Sequence, residues 1–193
     1  ADSRVRVEAA KVLGNIGSEQ ALAVAALKEV LTEPGADSRV RVEAATVLGK
    51  VGSEQAVAAL KEVLTEPGAD SRVRVEAAKV LGNIGSEQAL AVAALKEVLM
   101  EPGADSRVRV EAAKVLGNIG SEQALAVAAL KEVLTEPGAD SWVRVEAVSV
   151  LGKVRSEQAL VALKEVLTKP GADSWVRVEA AKVLGNVVSE QAV

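Results

Sequence analysis

Of the side chains that carry most enzyme and metal chemistry, this sequence offers carboxylates, lysine, arginine and serine, and neither histidine nor cysteine. Without histidine the commonest general base and the commonest metal ligand are both missing. Without cysteine there are no disulfides and no thiolate metal sites. The remaining groups recur in rows. Arg4, Arg39, Arg72, Arg107, Trp142 and Trp175 form one row, and Lys11, Thr46, Lys79, Lys114, Ser149 and Lys182 a second. Asn15, Lys50, Asn83, Asn118, Lys153 and Asn186 form a third, and Glu8, Glu43, Glu76, Glu111, Glu146 and Glu179 a fourth. Catalysis needs unlike groups converging on one point. A repeated surface glutamate gives no reason to expect a displaced pKa. No glycine-rich phosphate loop is present, because each L-G-x-I-G closes a helix instead of opening one. The expectation is a protein that is not an enzyme, with no cofactor and no metal.

The same rows can support recognition. They hold four Arg and six Lys against six Glu, whereas a typical second helix carries Glu19, Lys28, Glu29 and Glu33. One surface is thus mildly basic and the other acidic, which would steer an acidic or mixed-charge partner toward the first. Trp142 and Trp175 are the only aromatic residues. They are either a binding hot spot, with Arg107 able to stack on the first ring, or covers for neighbouring alkyl stems. An Asp and an Arg four residues later, as at Asp37 and Arg41, return in every copy.

What positions these rows is a repeat. The block ADSRVRVEAAKVLGNIG starts at Ala1 and returns at Ala36, Ala69, Ala104, Ala139 and Ala172, at spacings of 35, 33, 35, 35 and 33 residues. A second block, SEQALAVAALKEVLTEPG, follows each of the first five copies, shortened by two residues in the 33-residue ones. The copies run over 1–35, 36–68, 69–103, 104–138 and 139–171, with a partial copy at 172–193. Each block reads as one helix. Asp2 or Ser3 supplies an N-cap, and Val5, Ala9, Val12, Leu13 and Ile16 fall on one apolar face. Arg4, Val7, Glu8, Lys11 and Asn15 lie opposite. Gly17 ends the helix with a positive φ, Ser18 caps the next, and Val24, Leu27, Val30 and Leu31 form its apolar stripe before Pro34-Gly35 stops it. Such a hairpin cannot bury both stripes alone, whereas stacked copies share a continuous core. The expected fold is therefore all-α, an α-α superhelix, in a single array over 1–193. The helix-closing glycine is replaced by Arg155 and Val188, at a cost of about 1 kcal/mol each if a positive φ is required.

The string D-x-x-V-R-x-x-A-A-x-x-L-G-x-I-G, seen from Asp70 to Gly85, resembles the signature of short HEAT-like repeats. These include the type first described in phycobilisome lyases and the consensus form of engineered binding scaffolds. The resemblance recurs six times and implies a HEAT-like solenoid of antiparallel helix hairpins. It further implies that the V-R-x-x-A-A helix lines a concave binding surface, here Arg4, Arg39, Arg72, Arg107, Trp142, Trp175, Lys79, Lys114 and Lys182. Asp37, Arg41, Asp70, Arg74, Asp105 and Arg109 would then form a structural ladder between neighbouring turns. Metal-dependent enzymes of this fold type use His-Glu pairs, which this chain lacks. A cytoplasmic scaffold or sensor module that binds a protein or peptide is the implied role. Two alternatives stand beside it. One is a nucleic-acid backbone held in the mildly basic groove, disfavoured by the glutamate row and the net charge of −4. The other is head-to-tail self-association through uncapped ends. No apolar run is long enough to span a membrane.

Overall fold

In the computed structural model, the described residues are 2–14, 20–33, 35–66, 68–101, 103–120 and 122–191. Among them are eleven helices and no strand: α1 (Ser3–Gly14), α2 (Gln20–Thr32), α3 (Ser38–Val51), α4 (Glu54–Thr65), α5 (Ser71–Gly82), α6 (Gln88–Met100), α7 (Ser106–Asn118), α8 (Gln123–Thr135), α9 (Ser141–Val154), α10 (Glu157–Thr168) and α11 (Ser174–Gln191). The odd-numbered helices come from the first block and α2, α4, α6, α8 and α10 from the second. From α1 through α5, and again from α7 through α11, consecutive helices pack on one another, consistent with an all-α HEAT-like solenoid. The chain divides into two units, Ala1–Leu95 and Lys96–Val193.

In the first unit, Asp37 caps α3 by accepting the Arg39 N–H at 2.7 Å. Val40, Ala44, Ala45, Val47 and Leu48 of α3 are buried, as are Ala56, Val57, Ala59, Leu60, Val63 and Leu64 of α4. In the second unit, Asp105 and Asp140 cap α7 and α9 in the same way, and the corresponding stripes are buried. Small side chains permit a tight core. A Cβ on Gly49 would lie 1.9 Å from Cγ1 of Val80, and one on Gly117 would lie 2.1 Å from Cγ1 of Val150. Glycine inside these helices costs about 1 kcal/mol of helix propensity, and it lets successive first-block helices approach closely.

Four expectations about the helices need correction. In α1, Val5 and Val12 are 61% and 63% exposed and Ala9 is exposed, while Val7 is only 2% exposed. The same stripe is buried in α3, which packs on both α1 and α2 before it and α4 and α5 after it. Among the described residues α1 has α2 and α3 as partners, and Val7 turns toward α3 beside Val40. The Val7 row is thus not uniformly part of the surface: Val7 and Val110 are buried, Val42, Val75 and Val145 are half-buried, and Val178 in α11 is exposed. Leu13 has no described side chain, and Asn15, Ile16, Gly17, Ser18, Glu19 and Pro34 lie outside the described residues.

Among the described residues, the closing position takes a positive φ only in the 33-residue copies, where two residues separate the helices. Gly52 has φ 62° and Arg155 φ 53°. Gly85 and Gly120, in 35-residue copies, do not adopt such a conformation. Their first helix ends earlier, and Ile84 or Ile119 then tucks into the core. At Val188 no left-handed turn arises, because α11 continues through it. Serine caps after the short turns: Ser53 accepts from the Ala56 N–H and Ser156 from the Ala159 N–H. Ser86 instead donates to the Gly52 carbonyl at 2.9 Å.

Candidate functional site

The first-block helices bring the rows to one face of each unit. In the first unit, Arg39, Arg72 and Lys79 are exposed on α3 and α5. Lys11 of α1 bridges Glu43 at 2.6 Å and Glu8 at 2.8 Å. Hydrogen bonds to Glu43, and then to Glu8, raise its pKa above the usual lysine value. The side chain of Arg4 lies outside the described set.

In the second unit, Arg107 and Lys114 are exposed on α7 and Lys182 on α11. Trp142 and Trp175 occupy the first turns of α9 and α11, 51% and 76% exposed. Their backbone N–H groups are donated to the cap carboxylates, Trp142 to Asp140 at 2.7 Å and Trp175 to Asp173 at 2.8 Å. The Ser141 hydroxyl donates to Asp173 at 2.7 Å. This bond ties the two first turns together, so the indoles project from adjacent, anchored positions. The Ser141 hydrogen bond, then the Trp175 N–H, hold the Asp173 carboxyl below its ordinary value.

The aspartates and arginines of the repeated pair serve different contacts. Asp70 and Asp140 cap their own helices and each take a serine hydroxyl from the preceding copy, Ser38 to Asp70 at 2.7 Å and Ser106 to Asp140 at 3.1 Å. Ser38 and the Arg72 N–H together lower the pKa of Asp70. Asp37 and Asp105 accept from the Arg39 and Arg107 N–H groups. The arginines reach back to the end of the preceding second-block helix. Nε of Arg41, Arg74 and Arg109 donates to the carbonyl of Leu31, Leu64 and Leu99 respectively. Arg41 and Arg109 then extend forward to Glu66 at 3.5 Å and Glu136 at 2.5 Å. The serines and these glutamates were missed as partners in the sequence. Their spacings of 25 to 34 residues, close to one repeat, were the available signal.

Arg144 breaks this scheme. Its Nη2 donates to the Glu136 carbonyl at 2.5 Å, and its buried Nε has no partner. The residue one copy beyond Glu136, where a forward partner would stand, is Lys169. On the second-block helices, Lys28–Glu62 at 2.6 Å lies in the first unit, and Lys96–Glu132 at 2.5 Å and Lys131–Glu165 at 2.8 Å in the second. Between α8 and α10 runs a shallow groove of about 460 Å³ floored by Ala124, Val127, Ala128 and Val161. Among the described residues no cluster of three acidic side chains is placed to hold a metal, and no helix is long and apolar enough to cross a membrane.

Comparison with known proteins places this geometry. The structure of human deoxyhypusine hydroxylase in complex with glycerol is similar over 95% of this chain and 79% of that one, with 22% identity and a TM-score of 0.56. The complex of CpcE and CpcF of phycocyanin lyase from Nostoc sp. PCC7120 matches over 94% of this chain and 88% of that one, with 22% identity and a TM-score of 0.37. No curated protein sequence matches significantly. The expectation that the chain is not an enzyme does not stand, since the solved structure that shares this fold, deoxyhypusine hydroxylase, is an enzyme. The physical reason is that a fold hosts many functions, and lysines and carboxylates, both plentiful here, can act as acids and bases without histidine. The family profile described as HEAT repeats matches residues 1–70, 24–102, 65–141 and 127–193. The chain belongs to the HEAT-repeat family.

Proposed function

We propose that this chain is a protein-interaction module, a scaffold or sensor that binds a partner protein or peptide on the faces formed by its first-block helices. The observation that carries this reading is the exposure of Trp142 and Trp175, 51% and 76%, on adjacent first turns joined through Ser141 and Asp173. A tryptophan buries roughly 150–250 Å² when covered, and leaving two indoles in water forgoes that gain. Tryptophan is among the residues most enriched at binding hot spots. Arg107, Lys114 and Lys182 in the second unit, and Arg39, Arg72 and Lys79 in the first, supply polar rims to their faces. Arg4 belongs to the same row in sequence. The pairs Asp37–Arg41, Asp70–Arg74 and Asp105–Arg109 serve the interior instead, as caps and inter-copy bonds.

A pull-down comparing the native chain with the double variant Trp142→Ala, Trp175→Ala tests this. Partner capture should fall at least tenfold, on the scale of one hot spot of about 2 kcal/mol. Unchanged capture would remove the face as the binding site. A second reading is favoured by Val5 and Val12 of α1, 61% and 63% exposed on the stripe that other first-block helices bury. A second-block helix of another copy would fit this stripe and produce head-to-tail association. Light scattering across concentrations tests it: a constant monomer mass would exclude the association. A nucleic-acid backbone is less well served, because Lys11 is already held between two glutamates.

A further inference from the structure

We infer that the tryptophan face of the second unit recognises a cationic side chain, a lysine or arginine on a segment of a partner protein; this rests on the interaction reading above and specifies its chemistry. The carrier is Glu146. Every other glutamate of its row has a cation on its own helix, four residues before it, three after it, or both: Arg4 and Lys11 around Glu8, Arg39 before Glu43, Arg72 and Lys79 around Glu76, Arg107 and Lys114 around Glu111, Lys182 after Glu179. Around Glu146 those positions are Trp142 and Ser149. Two cations have been replaced on one helix face by an indole and a hydroxyl. Residues four and three apart are neighbours on a helix surface, so Glu146 and Trp142 share one face of α9.

The surrounding charges leave this carboxylate available. Lys114 of α7 holds the place from which Lys11 reaches Glu43 at 2.6 Å, yet no such bridge joins Lys114 to Glu146 among the described residues. Lys153 is seven residues beyond Glu146, roughly 10 Å along the helix and outside ion-pair distance. Lys182 lies 3.8 Å from Glu179. The cations Arg107 and Lys114 stand on the α7 side of α9, and the second indole, Trp175, on the α11 side. An incoming cation therefore meets attraction from Trp142, Glu146 and Trp175, with Arg107 and Lys114 of α7 on one side and Lys182 of α11, 3.8 Å from Glu179, on the other. An aromatic face beside a carboxylate attracts an ammonium or guanidinium through the ring quadrupole and the formal charge together. An anionic side chain would meet Glu146 unscreened.

The two tryptophans are the only aromatics, so their emission reports this face and nothing else. The full chain is titrated at low salt with two synthetic peptides, one alternating lysine and glycine and one alternating glutamate and glycine. The lysine peptide should change the emission saturably and bind at least several-fold more tightly than the glutamate peptide. Glu146→Gln should weaken the lysine peptide by roughly threefold or more, with circular dichroism unchanged. Equal affinity for the two peptides, or no effect of Glu146→Gln, would overturn the inference. The pull-down separates the two failures. If capture needs the tryptophans but is indifferent to Glu146→Gln, the face stands and the cation chemistry falls. If capture is indifferent to the tryptophans, the face itself falls.

Discussion

Arg39 and Arg72 in the first unit hold the same places in the repeat as Trp142 and Trp175 in the second. The interior beneath them is conserved in kind: Gly49 against Val80 and Gly117 against Val150 make the same close approach, and aspartates cap the helices above. The surfaces have diverged. Across the four rows the first unit carries six cations against three glutamates, and the second carries four against three, with two indoles. The second unit has also replaced a glutamate by Lys169 and a turn glycine by Arg155. Packing tolerates little change, because each core position is shared by neighbouring copies, whereas the outward positions and the turns can specialise.

The comparison can be broken most forcefully at the arginine–glutamate links. Arg109 and Glu136 have side chains 5% and 14% exposed, against 13% and 41% for Arg41 and Glu66. Glu136→Lys should destabilise by about 3 kcal/mol by stranding a buried guanidinium. Glu66→Lys, more open to solvent screening, should cost about 1 kcal/mol. Urea melts of the two variants would show whether this asymmetry exists. Next in size, Gly117→Ala and Gly49→Ala should each cost about 1–3 kcal/mol from overpacking against valine, and comparable losses would establish that the two units share one packing rule.

Two substitutions should act in the opposite direction. Lys169→Glu offers Arg144 the carboxylate that Arg41 and Arg109 already have, and should stabilise by about 1 kcal/mol. Arg155→Gly relieves a left-handed conformation at φ 53° and should gain about 1 kcal/mol. Gly52→Arg, at the same turn in the first unit, should lose a similar amount. Thermal melts would read both. The smallest effect concerns acid. The carboxyls of Asp70 and Asp173 are held below the ordinary value of 3.8 by serine hydroxyls. Their contribution is complete above that value and is lost as pH falls through the lowered one. Ser38→Ala and Ser141→Ala should each flatten the acid limb of a stability–pH curve below about pH 4.

Much of this was legible from the residues. The repeat, the paired helices and the aspartate caps follow from periodicity and from residues with a local role. So does the left-handed turn at Arg155. What escaped was whatever depends on a neighbour about one repeat away. The stripe of α1 looks identical to that of α3, yet among the described residues α1 packs on α2 and α3, whereas α3 packs on α1 and α2 before it and α4 and α5 after it. Val7 looks solvent-facing until the next copy covers it. Ser38 looks like part of a cap and instead donates to Asp70, 32 residues on. Ser53 and Ser86 occupy equivalent positions, and the two extra residues after Ser86 convert a helix cap into a bond to the previous turn. The catalytic status was misjudged for another reason: a repeat's regularity describes its scaffold and leaves its chemistry open.

The most direct test of the binding role uses tryptophan emission in a complex of the full chain with a captured partner that lacks tryptophan. Acrylamide quenching is measured with and without that partner. Coverage of Trp142 and Trp175 predicts a shift of the emission to shorter wavelength and a quenching constant reduced at least twofold, the larger change coming from Trp175 when each indole is observed alone in Trp142→Phe or Trp175→Phe. A saturated complex in which both indoles remain as quenchable as in the free chain would contradict it.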